Sequence, residues 1–130
     1  ATALIQLAQL EMERDRSSEM WVIVDGDSHK VSGRTPFQAA RMGDPAAKRV
    51  LRNYLQGLSI GMINLVNILQ PEIICLGGGV SNAEDDLLLD PLRELVWRGS
   101  FDKSTKVRIE RASLGNDAGV VGAALLCNLV

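Results

Sequence analysis

Apolar residues recur every three or four positions in two stretches of the chain, which is the spacing of one face of an α-helix. The first stretch covers residues 2–13 and predicts a short amphipathic helix with Thr2 as its cap. The second predicts a long helix from Pro45 to Leu69 that stops before Pro71. The predicted inner face of the long helix consists of Val50, Tyr54, Leu58, Met62, Leu65 and Leu69.

Proline and glycine indicate where two of the helices begin and end. Thr35 and Asp44 each stand before a proline, so each can cap a helix whose first residue is that proline. Gly43 is placed to end the first of these two helices. Gly57 and Gly61 lie inside the long helix, where each costs roughly 1 kcal/mol relative to alanine. We therefore expect another element to pack closely against them.

Two short strands and a helix between them are predicted in the second half of the chain. Glu72–Leu76 is an apolar run between a proline and a glycine, as is typical of a strand buried on both faces. Residues 106–110 alternate polar and apolar side chains, and residues 83–98 have helical spacing. Strands joined by a helical crossover are parallel, so these elements predict a βαβ unit. A last helix is expected over residues 117–127.

The segment before Thr35 has a weaker pattern. Met20–Val24 is rich in β-branched residues and predicts a short strand, and Asp25–Asp27 has the composition of a turn. We expect residues 1–34 to form a helix and an irregular segment, and residues 35–130 to form helices around the βαβ core. The predicted fold class is α/β, helix-rich with a small parallel sheet.

Composition and charge narrow the range of functions. With 46% hydrophobic residues, 23% charged residues and a net charge of -2, the chain resembles neither a disordered segment nor a nucleic-acid binder with a basic face. Asn64, Asn67 and Gln70 interrupt the longest apolar stretch, so no membrane partner is expected either. The chain begins with Ala1 rather than Met, and we expect it to be a piece of a longer protein.

Cysteine and histidine do not suggest a metal site. Cys75 and Cys127 lie in apolar surroundings, far apart in sequence and outside any CxxC motif, so we expect buried reduced thiols. His29 is the only histidine and has no Cys or acidic cluster at ligand spacing, which favours an exposed loop residue. No metal ligand is expected in this chain.

Three consecutive glycines are the strongest candidate for a functional site. Gly77, Gly78 and Gly79 follow the predicted buried strand, where glycine lets the backbone approach a ligand closely. Spacing alone leaves a tight turn without a ligand equally open. The last predicted helix has small residues at Gly119, Gly122 and two alanines, which suits a domain interface. Close packing of this helix against the sheet is the open alternative.

Three segments resemble one family. Asn67–Val80 is similar to the "N-x-x-x-P-E-hydrophobic-GGG" segment of the ROK family (repressor, open reading frame, kinase), and Leu114–Ala124 is similar to its C-terminal signature. Asp44 and the helix after it resemble the family's "G-D-x-x-A" helix start. The resemblance runs from about Thr35 to Leu126 and is typical of the C-terminal part of a sugar kinase of the glucokinase branch.

This resemblance implies a fold and a site. It implies a partial actin-like ATPase (ribonuclease H-like) fold, in which two domains close around a nucleotide and the sugar lies between them. The chain would then be the C-terminal part of the second domain. The resemblance assigns Gly77, Gly78, Gly79 and Val80 to the adenine and ribose of the nucleotide, and the helix around Gly119–Ala123 to the second interdomain connector.

The same resemblance implies what the whole protein contains and binds. It implies ATP with Mg²⁺ as cofactor, a hexose as substrate, and an aspartate as general base that lies outside this chain, so the isolated chain is expected to be inactive. Zinc is compatible with the whole protein, but its ligands are not in this chain. The expected partners are the missing N-terminal part and further copies in a homo-oligomer, and the expected location is the cytoplasm. An uncovered sheet edge would make the isolated chain self-associate or recruit Met20–Val24.

Two alternatives remain at this point. The first is the sugar-sensing domain of a ROK-family transcriptional repressor, although the segment from Trp21 to Arg34 looks more like the glucokinase branch. The second is a Rossmann-type dinucleotide domain. Its spacing fits poorly, because Gly77–Gly79 lacks the GxGxxG pattern and no acidic residue follows a second strand at about 20 residues.

Overall fold

A computed structural model describes residues 2–101, 107–114 and 117–126. Within these residues the chain forms a helix-rich α/β structure with a small parallel sheet, as the sequence predicts. The elements, in chain order, are α1 (Thr2–Arg14), α2 (Glu19–Ile23), α3 (Thr35–Arg41), α4 (Pro45–Leu69), β1 (Ile73–Leu76), α5 (Leu89–Gly99), β2 (Arg108–Arg111) and α6 (Ala118–Leu126). Short 3₁₀ turns lie at Ser28–Lys30 and Gly79–Asn82.

The predicted helix at the start of the chain is confirmed as α1, which packs against α4. Leu4, Ala8 and Met12 recur every four residues and are fully buried. Burying one apolar face of a short helix in this way supplies most of its stability, because an isolated helix of this length is marginal in water. α1 therefore depends on α4 for its structure.

Ion pairs join α1 and α4 at the surface. The Arg49 guanidinium on α4 donates from Nε to Glu11 Oε1 at 2.5 Å and from Nη2 to Asp15 Oδ2 at 3.2 Å. Hydrogen bonds from the side chain and backbone of Ser17, and then from Arg49, lower the pKa of Asp15. The Asp15 carboxyl group is thus ionised at neutral pH, where it can hold Arg49.

The strand predicted at Met20–Val24 is wrong, because these residues belong to α2 and the turn that ends it. The Ser18 side chain caps α2 by accepting a hydrogen bond from the Met20 N–H at 3.2 Å. Met20 and Val24 lie one turn apart and are buried on the same face, against α3. Burial of this helical face outweighs the strand preference of the β-branched residues. The segment is therefore not available to extend the sheet.

The two predicted caps behave differently. Asp44 caps α4, as predicted, by accepting a hydrogen bond from the Ala46 N–H at 2.9 Å. Thr35 is not a cap: it is the first residue of α3, and its hydroxyl accepts a hydrogen bond from the Ser32 N–H at 3.0 Å. Gly43 follows the end of α3 with φ of 95°, as expected for a helix-ending glycine.

The predicted ends of α4 are confirmed, but the predicted burial of its inner face is confirmed only in the first two-thirds of the helix. Val50 and Met62 are buried, whereas Leu65 is 48% exposed and Leu69 is 66% exposed. The prediction of a close neighbour at Gly57 and Gly61 is also wrong within the described residues, since no atom lies within 4 Å of a Cβ built at either position. The described elements cover only one side of α4.

The predicted βαβ unit is confirmed. Strands β1 and β2 pair in parallel, with Ile74 opposite Ile109, and α5 forms the connection between them. Leu92 and Val96 on α5 are fully buried, and Ile109 on β2 is 2% exposed. α5 also packs against α4, so α4, α5 and the sheet share one hydrophobic core.

The prediction that Glu72–Leu76 is buried on both faces is wrong. Along β1, Ile73 and Cys75 are exposed, while Ile74 and Leu76 pack against the core. The reason is that the described helices cover one face of this two-stranded sheet. Cys75 is therefore an exposed free thiol rather than a buried one, and Cys127 lies outside the described residues.

No helix among the described residues is long and apolar enough to cross a membrane.

Candidate functional site

The three glycines form a turn directly after β1. Gly78 has φ of 82° and ψ of -177°, a backbone conformation that is essentially restricted to glycine. Gly79 then begins the 3₁₀ turn Gly79–Asn82. We call Gly77–Gly79 the glycine turn. Its conformation explains why glycine is needed at the middle position.

Ser81 fixes the glycine turn from within. Its hydroxyl donates to the Gly78 carbonyl oxygen at 2.7 Å, and its backbone N–H donates to the same oxygen at 3.1 Å. The residue is only 3% exposed, so both bonds are shielded from water. Ser81 is not among the site residues predicted from the sequence. A serine three residues after a turn glycine is a recognisable local signal, because its hydroxyl can reach back to the turn.

Two arginines hold the segment that follows the glycine turn. Arg111, the last residue of β2, donates from Nη2 to the Ala83 carbonyl oxygen at 2.6 Å and to Asp85 Oδ1 at 2.7 Å. Arg41, the last residue of α3, pairs with Glu84 and Asp86. No local pattern could reveal these contacts, because the partners lie 26 to 45 positions apart in sequence. The segment is thus fastened to both β2 and α3.

A cavity of about 230 Å³ separates α3 from the glycine turn. We call it the α3 cavity. One wall comes from the start of α3 and the residues before it, and the other from the 3₁₀ turn and Ala83. The lining residues are Gly33, Arg34, Phe37, Gln38, Gly79, Val80, Asn82 and Ala83. The contribution of α3 to this region is not predicted from the sequence.

A second cavity, of about 270 Å³, lies between the glycine turn and α4. We call it the α4 cavity. Tyr54, Leu58, Leu76 and Leu88 line it together with residues 77–81, so it is mainly apolar. Burial raises the pKa of the Tyr54 hydroxyl above its ordinary value of 10.0. Tyr54 is therefore a neutral hydrogen-bond donor at physiological pH.

The largest of the three cavities, about 530 Å³, lies away from the glycine turn. It lies between α5 and β2, and its lining includes Trp97, Ser100 and Val107. Two of these residues flank residues 102–106, which fall in a gap between the described ranges. Because part of its surroundings lies outside the described residues, the size of this cavity does not identify it as the functional site. The glycine turn remains the better candidate.

The structure brings the four candidate residues together at the two smaller cavities. Gly79 and Val80 line both of them, and Gly77 and Gly78 line the α4 cavity. The sequence left open that the small residues of α6 pack closely against the sheet. The described residues do not show such packing, since no described atom lies within 4 Å of a Cβ built at Gly119 or Gly122.

The described residues contain no group of three or more His, Cys, Asp or Glu side chains that could hold a metal ion. His29 lies exposed in the 3₁₀ turn Ser28–Lys30, where its backbone N–H donates to Asp27 Oδ1 at 3.0 Å. In the part of the chain that is described, the chemistry of the site is thus limited to glycine backbone, four uncharged polar side chains, apolar walls and nearby arginines.

Comparison with known proteins gives this arrangement a context. The family model described as "ROK family" matches residues 8–129. A beta-glucoside kinase from Klebsiella pneumoniae is 38% identical over 94 residues, which are 72% of this chain and 29% of that protein. A glucokinase from Halalkalibacterium halodurans is 33% identical over 128 residues, which are 97% of this chain and 38% of that protein.

A solved structure agrees with these relatives. The ROK-family glucokinase from Streptomyces griseus, crystallised with glucose and AMPPNP, superposes with a TM-score of 0.83 at 29% identity. The match covers 95% of this chain and 40% of the glucokinase chain. The chain therefore spans well under half the length of the proteins that it matches.

Proposed function

The chain belongs to the ROK family and has part of the actin-like ATPase fold of its sugar kinases, and we propose that it is the adenosine-binding, C-terminal part of the second domain of an ATP-dependent hexose kinase. The observation that carries this proposal is the glycine turn at the end of β1, with a cavity on each side. Gly78 takes a backbone conformation that only glycine adopts readily, which leaves the backbone open to a ligand.

In this proposal Gly77, Gly78, Gly79 and Val80 contact the adenine and ribose of ATP. One of the two cavities beside the glycine turn takes the base. Their volumes of about 230 Å³ and 270 Å³ lie below the roughly 300–1,000 Å³ of sites for drug-sized ligands, so each suits a base rather than a whole nucleotide. The ribose and phosphates then extend from the glycine turn towards the rest of the protein.

The substrates follow from the relatives. The Streptomyces griseus glucokinase was crystallised with AMPPNP, an analogue of ATP, and with glucose. We infer ATP and a hexose of the glucose class for the whole protein here. When Mg²⁺ is bound with ATP it neutralises charge on the phosphates during transfer. The described residues contain no cluster that would hold this ion, so we assign the chain's residues to the base and ribose alone.

The remaining parts of the kinase are proposed to lie outside this chain. These are the catalytic base, the phosphate loops, most of the sugar site and the ligands of any zinc ion. α6 serves as the second interdomain connector, and its exposed Val120 and Leu125 face the other domain.

We further propose that the whole protein is a cytoplasmic homo-oligomer. The support is the extent of uncovered apolar surface on α4 and β1, where Ile60, Ile68 and Ile73 are 61%, 76% and 39% exposed. Sedimentation of the full-length protein at micromolar concentration tests the assembly. A measured mass equal to that of a single chain would contradict the proposed homo-oligomer.

Phosphoryl transfer by the full-length protein tests the main proposal. We expect ATP-dependent formation of glucose 6-phosphate, or of the 6-phosphate of a related hexose, in a panel of sugars. The alternative, a sugar-sensing part of a ROK-family repressor, predicts sugar binding without phosphoryl transfer. Absence of product with every hexose in the panel, together with intact sugar binding, would overturn the kinase proposal.

A further inference from the structure

Strand β2 pairs only with β1 among the described residues, so one of its edges faces away from the sheet. In a parallel pair, every second residue of a strand directs its backbone N–H and C=O to the partner strand. The Arg108 N–H donates to the Glu72 carbonyl oxygen at 3.0 Å, so Arg108 and Glu110 face β1 in this way. Ile109 lies between them and directs its own N–H and C=O outward. The outward edge of β2 is therefore centred on Ile109.

An arginine from the neighbouring helix closes this edge. Arg93 on α5 donates from Nε to the Ile109 carbonyl oxygen at 2.9 Å, and its Nη1 donates to Asp90 Oδ1 at 3.0 Å. Ile109 is only 2% exposed, although it lies in an edge strand of the described sheet. The carbonyl that a further strand would need is thus already occupied.

The largest of the three cavities leaves room beside this edge. Its volume is about 530 Å³, and its lining includes the four consecutive residues 107–110. Side chains alternate between the two faces of a strand, so a cavity on one face would be lined by every second residue. A cavity lined by four consecutive residues instead follows the edge. The Arg93 side chain also lines it and is 43% exposed, so its guanidinium can leave Ile109 without disturbing the core.

The sequence of β2 is complementary to itself in an antiparallel pairing. If the edges of two copies meet at Ile109, the two Ile109 residues exchange both N–H···O=C bonds as one hydrogen-bonded pair. Arg108 of each copy then lies directly opposite Glu110 of the other copy, on the same face of the sheet. The Arg108 and Glu110 side chains are 66% and 47% exposed, so both are accessible to a second copy. Such a pairing has twofold symmetry, as is usual for a dimer of identical chains.

We propose that the edge of β2 is a self-complementary docking surface for a second copy of this chain, and that Arg93 keeps it closed. While Arg93 occupies the Ile109 carbonyl, the two central hydrogen bonds of the pairing cannot form. Arg93 thereby prevents the edge-to-edge association to which an open strand edge is prone.

This inference is independent of the nucleotide site, since Arg93 and Ile109 line neither cavity at the glycine turn. It also concerns a different surface from the assembly proposed above, which uses exposed apolar residues of α4 and β1. Any association through β2 therefore adds to the wild-type assembly and is measured against it.

Arg93→Met tests the closed edge, because it keeps an apolar stem and removes the donor. Sedimentation velocity of the full-length variant at micromolar concentration should show a species of about twice the wild-type mass. Arg93→Lys keeps a charged donor and should retain the wild-type mass. Arg52→Met is the matched control, since Arg52 is exposed on α4 and its loss changes the net charge equally. It should also retain the wild-type mass.

A second variant opens the edge while Arg93 stays in place. Asp90→Ala removes the carboxylate that orients the Arg93 guanidinium, and it should give a smaller fraction of the same doubled species. The Asp90 side chain is 61% exposed, so this substitution does not disturb the core. An unchanged mass in both Arg93→Met and Asp90→Ala would overturn the proposal.

Charge substitutions in Arg93→Met test the register of the pairing. Adding Glu110→Arg places an arginine opposite Arg108 of the other copy and should abolish the doubled species, because like charges directly opposite are destabilising. Adding Arg108→Glu as well restores opposite charges and should restore that species. A doubled species that persists after Glu110→Arg would overturn the proposal, because the association would then not depend on pairing of β2.

Discussion

The Ser18 hydroxyl donates a 2.5 Å hydrogen bond to Asp44 Oδ2 and so joins the N-cap residues of two helices across 26 positions of sequence. Ser18 caps α2 and Asp44 caps α4. Ser18 is 3% exposed and Asp44 is 4% exposed, so the bond lies inside the protein. This contact fixes the start of α4 relative to α2.

Asp44→Ala should be strongly destabilising. It removes the cap of α4, which costs about 0.5–2 kcal/mol, and it leaves the buried Ser18 hydroxyl without its acceptor, which costs about 1–3 kcal/mol. We expect the free energy of unfolding of the full-length protein to fall by about 2–4 kcal/mol in urea titrations. Asp27→Ala is the control, because Asp27 caps only the exposed 3₁₀ turn Ser28–Lys30. An equal loss in both variants would contradict a role for the buried contact.

Gly99 and Ile63 should be energetically coupled. A Cβ at Gly99 would clash with Cδ1 of Ile63 and lie 3.0 Å from its Cγ1. Gly99→Ala therefore forces Ile63 to move at the contact between α5 and α4, and overpacking of this kind typically costs about 1–3 kcal/mol. Ile63→Val removes Cδ1 and should reduce the cost of Gly99→Ala by about 0.5–1.5 kcal/mol in a double-mutant cycle.

The control for this cycle is Ile60→Val. Ile60 lies on the exposed side of α4 and is 61% exposed. It should leave the cost of Gly99→Ala unchanged. If Ile60→Val relieves that cost as much as Ile63→Val does, the effect does not arise from the contact seen in the structure.

Arg111→Ala should loosen the segment after the glycine turn. The guanidinium donates to the Ala83 carbonyl and to Asp85, and both bonds are lost. We expect faster amide hydrogen exchange over residues 79–83 and a rise in the KM for ATP of about fivefold, equivalent to about 1 kcal/mol. Arg108→Ala is the control, since Arg108 pairs with Glu110 at 3.6 Å on the same strand. Identical effects of the two variants would argue against positioning by Arg111.

The 130-residue chain alone should show no ATP-dependent phosphorylation of glucose. The proposal places the catalytic base and the phosphate loops elsewhere in the protein, so the chain can offer at most part of the nucleotide site. A coupled assay for glucose 6-phosphate, run beside the full-length protein, measures this. Product formation by the short chain above a blank would show that it holds a complete active site.

Local signals predicted the elements well where they were complete. The sequence predicts α4 with both ends correct, because Asp44-Pro45 starts the helix and Pro71 prevents its continuation. The βαβ order is predicted because a proline and a glycine bound the first strand and residues 83–98 have helical spacing. Met20–Val24 shows the opposite case: its residue types favour a strand, but the Ser18 cap and burial of Met20 make a helix.

Long-range features of the site could not be predicted. The glycine turn is visible in the sequence, but the approach of α3 to Val80 is not, since it depends on how α3 packs on α4. The hydrogen bond from Arg111 to Asp85 could not be predicted either, because the two residues lie 26 positions apart in sequence. The predicted burial of Cys75 and Leu69 fails because periodicity shows which residues share a face and not which partner covers that face. The role of Gly77–Val80 in binding adenosine stays a prediction.

The most direct test of that role compares Gly78→Val with Gly26→Val in the full-length protein. Gly78 has φ of 82° and Gly26 has φ of 76°, and neither has an atom within 4 Å of a built Cβ. Both substitutions place a β-branched side chain at a positive φ, which costs of order 1–3 kcal/mol, but only Gly78 lies in the glycine turn. Steady-state kinetics should show the KM for ATP raised about tenfold or more in Gly78→Val, with the KM for glucose within about twofold of wild type and both constants near wild type in Gly26→Val. A larger rise in the KM for glucose than for ATP, or equal effects of the two variants, would contradict adenosine binding at the glycine turn.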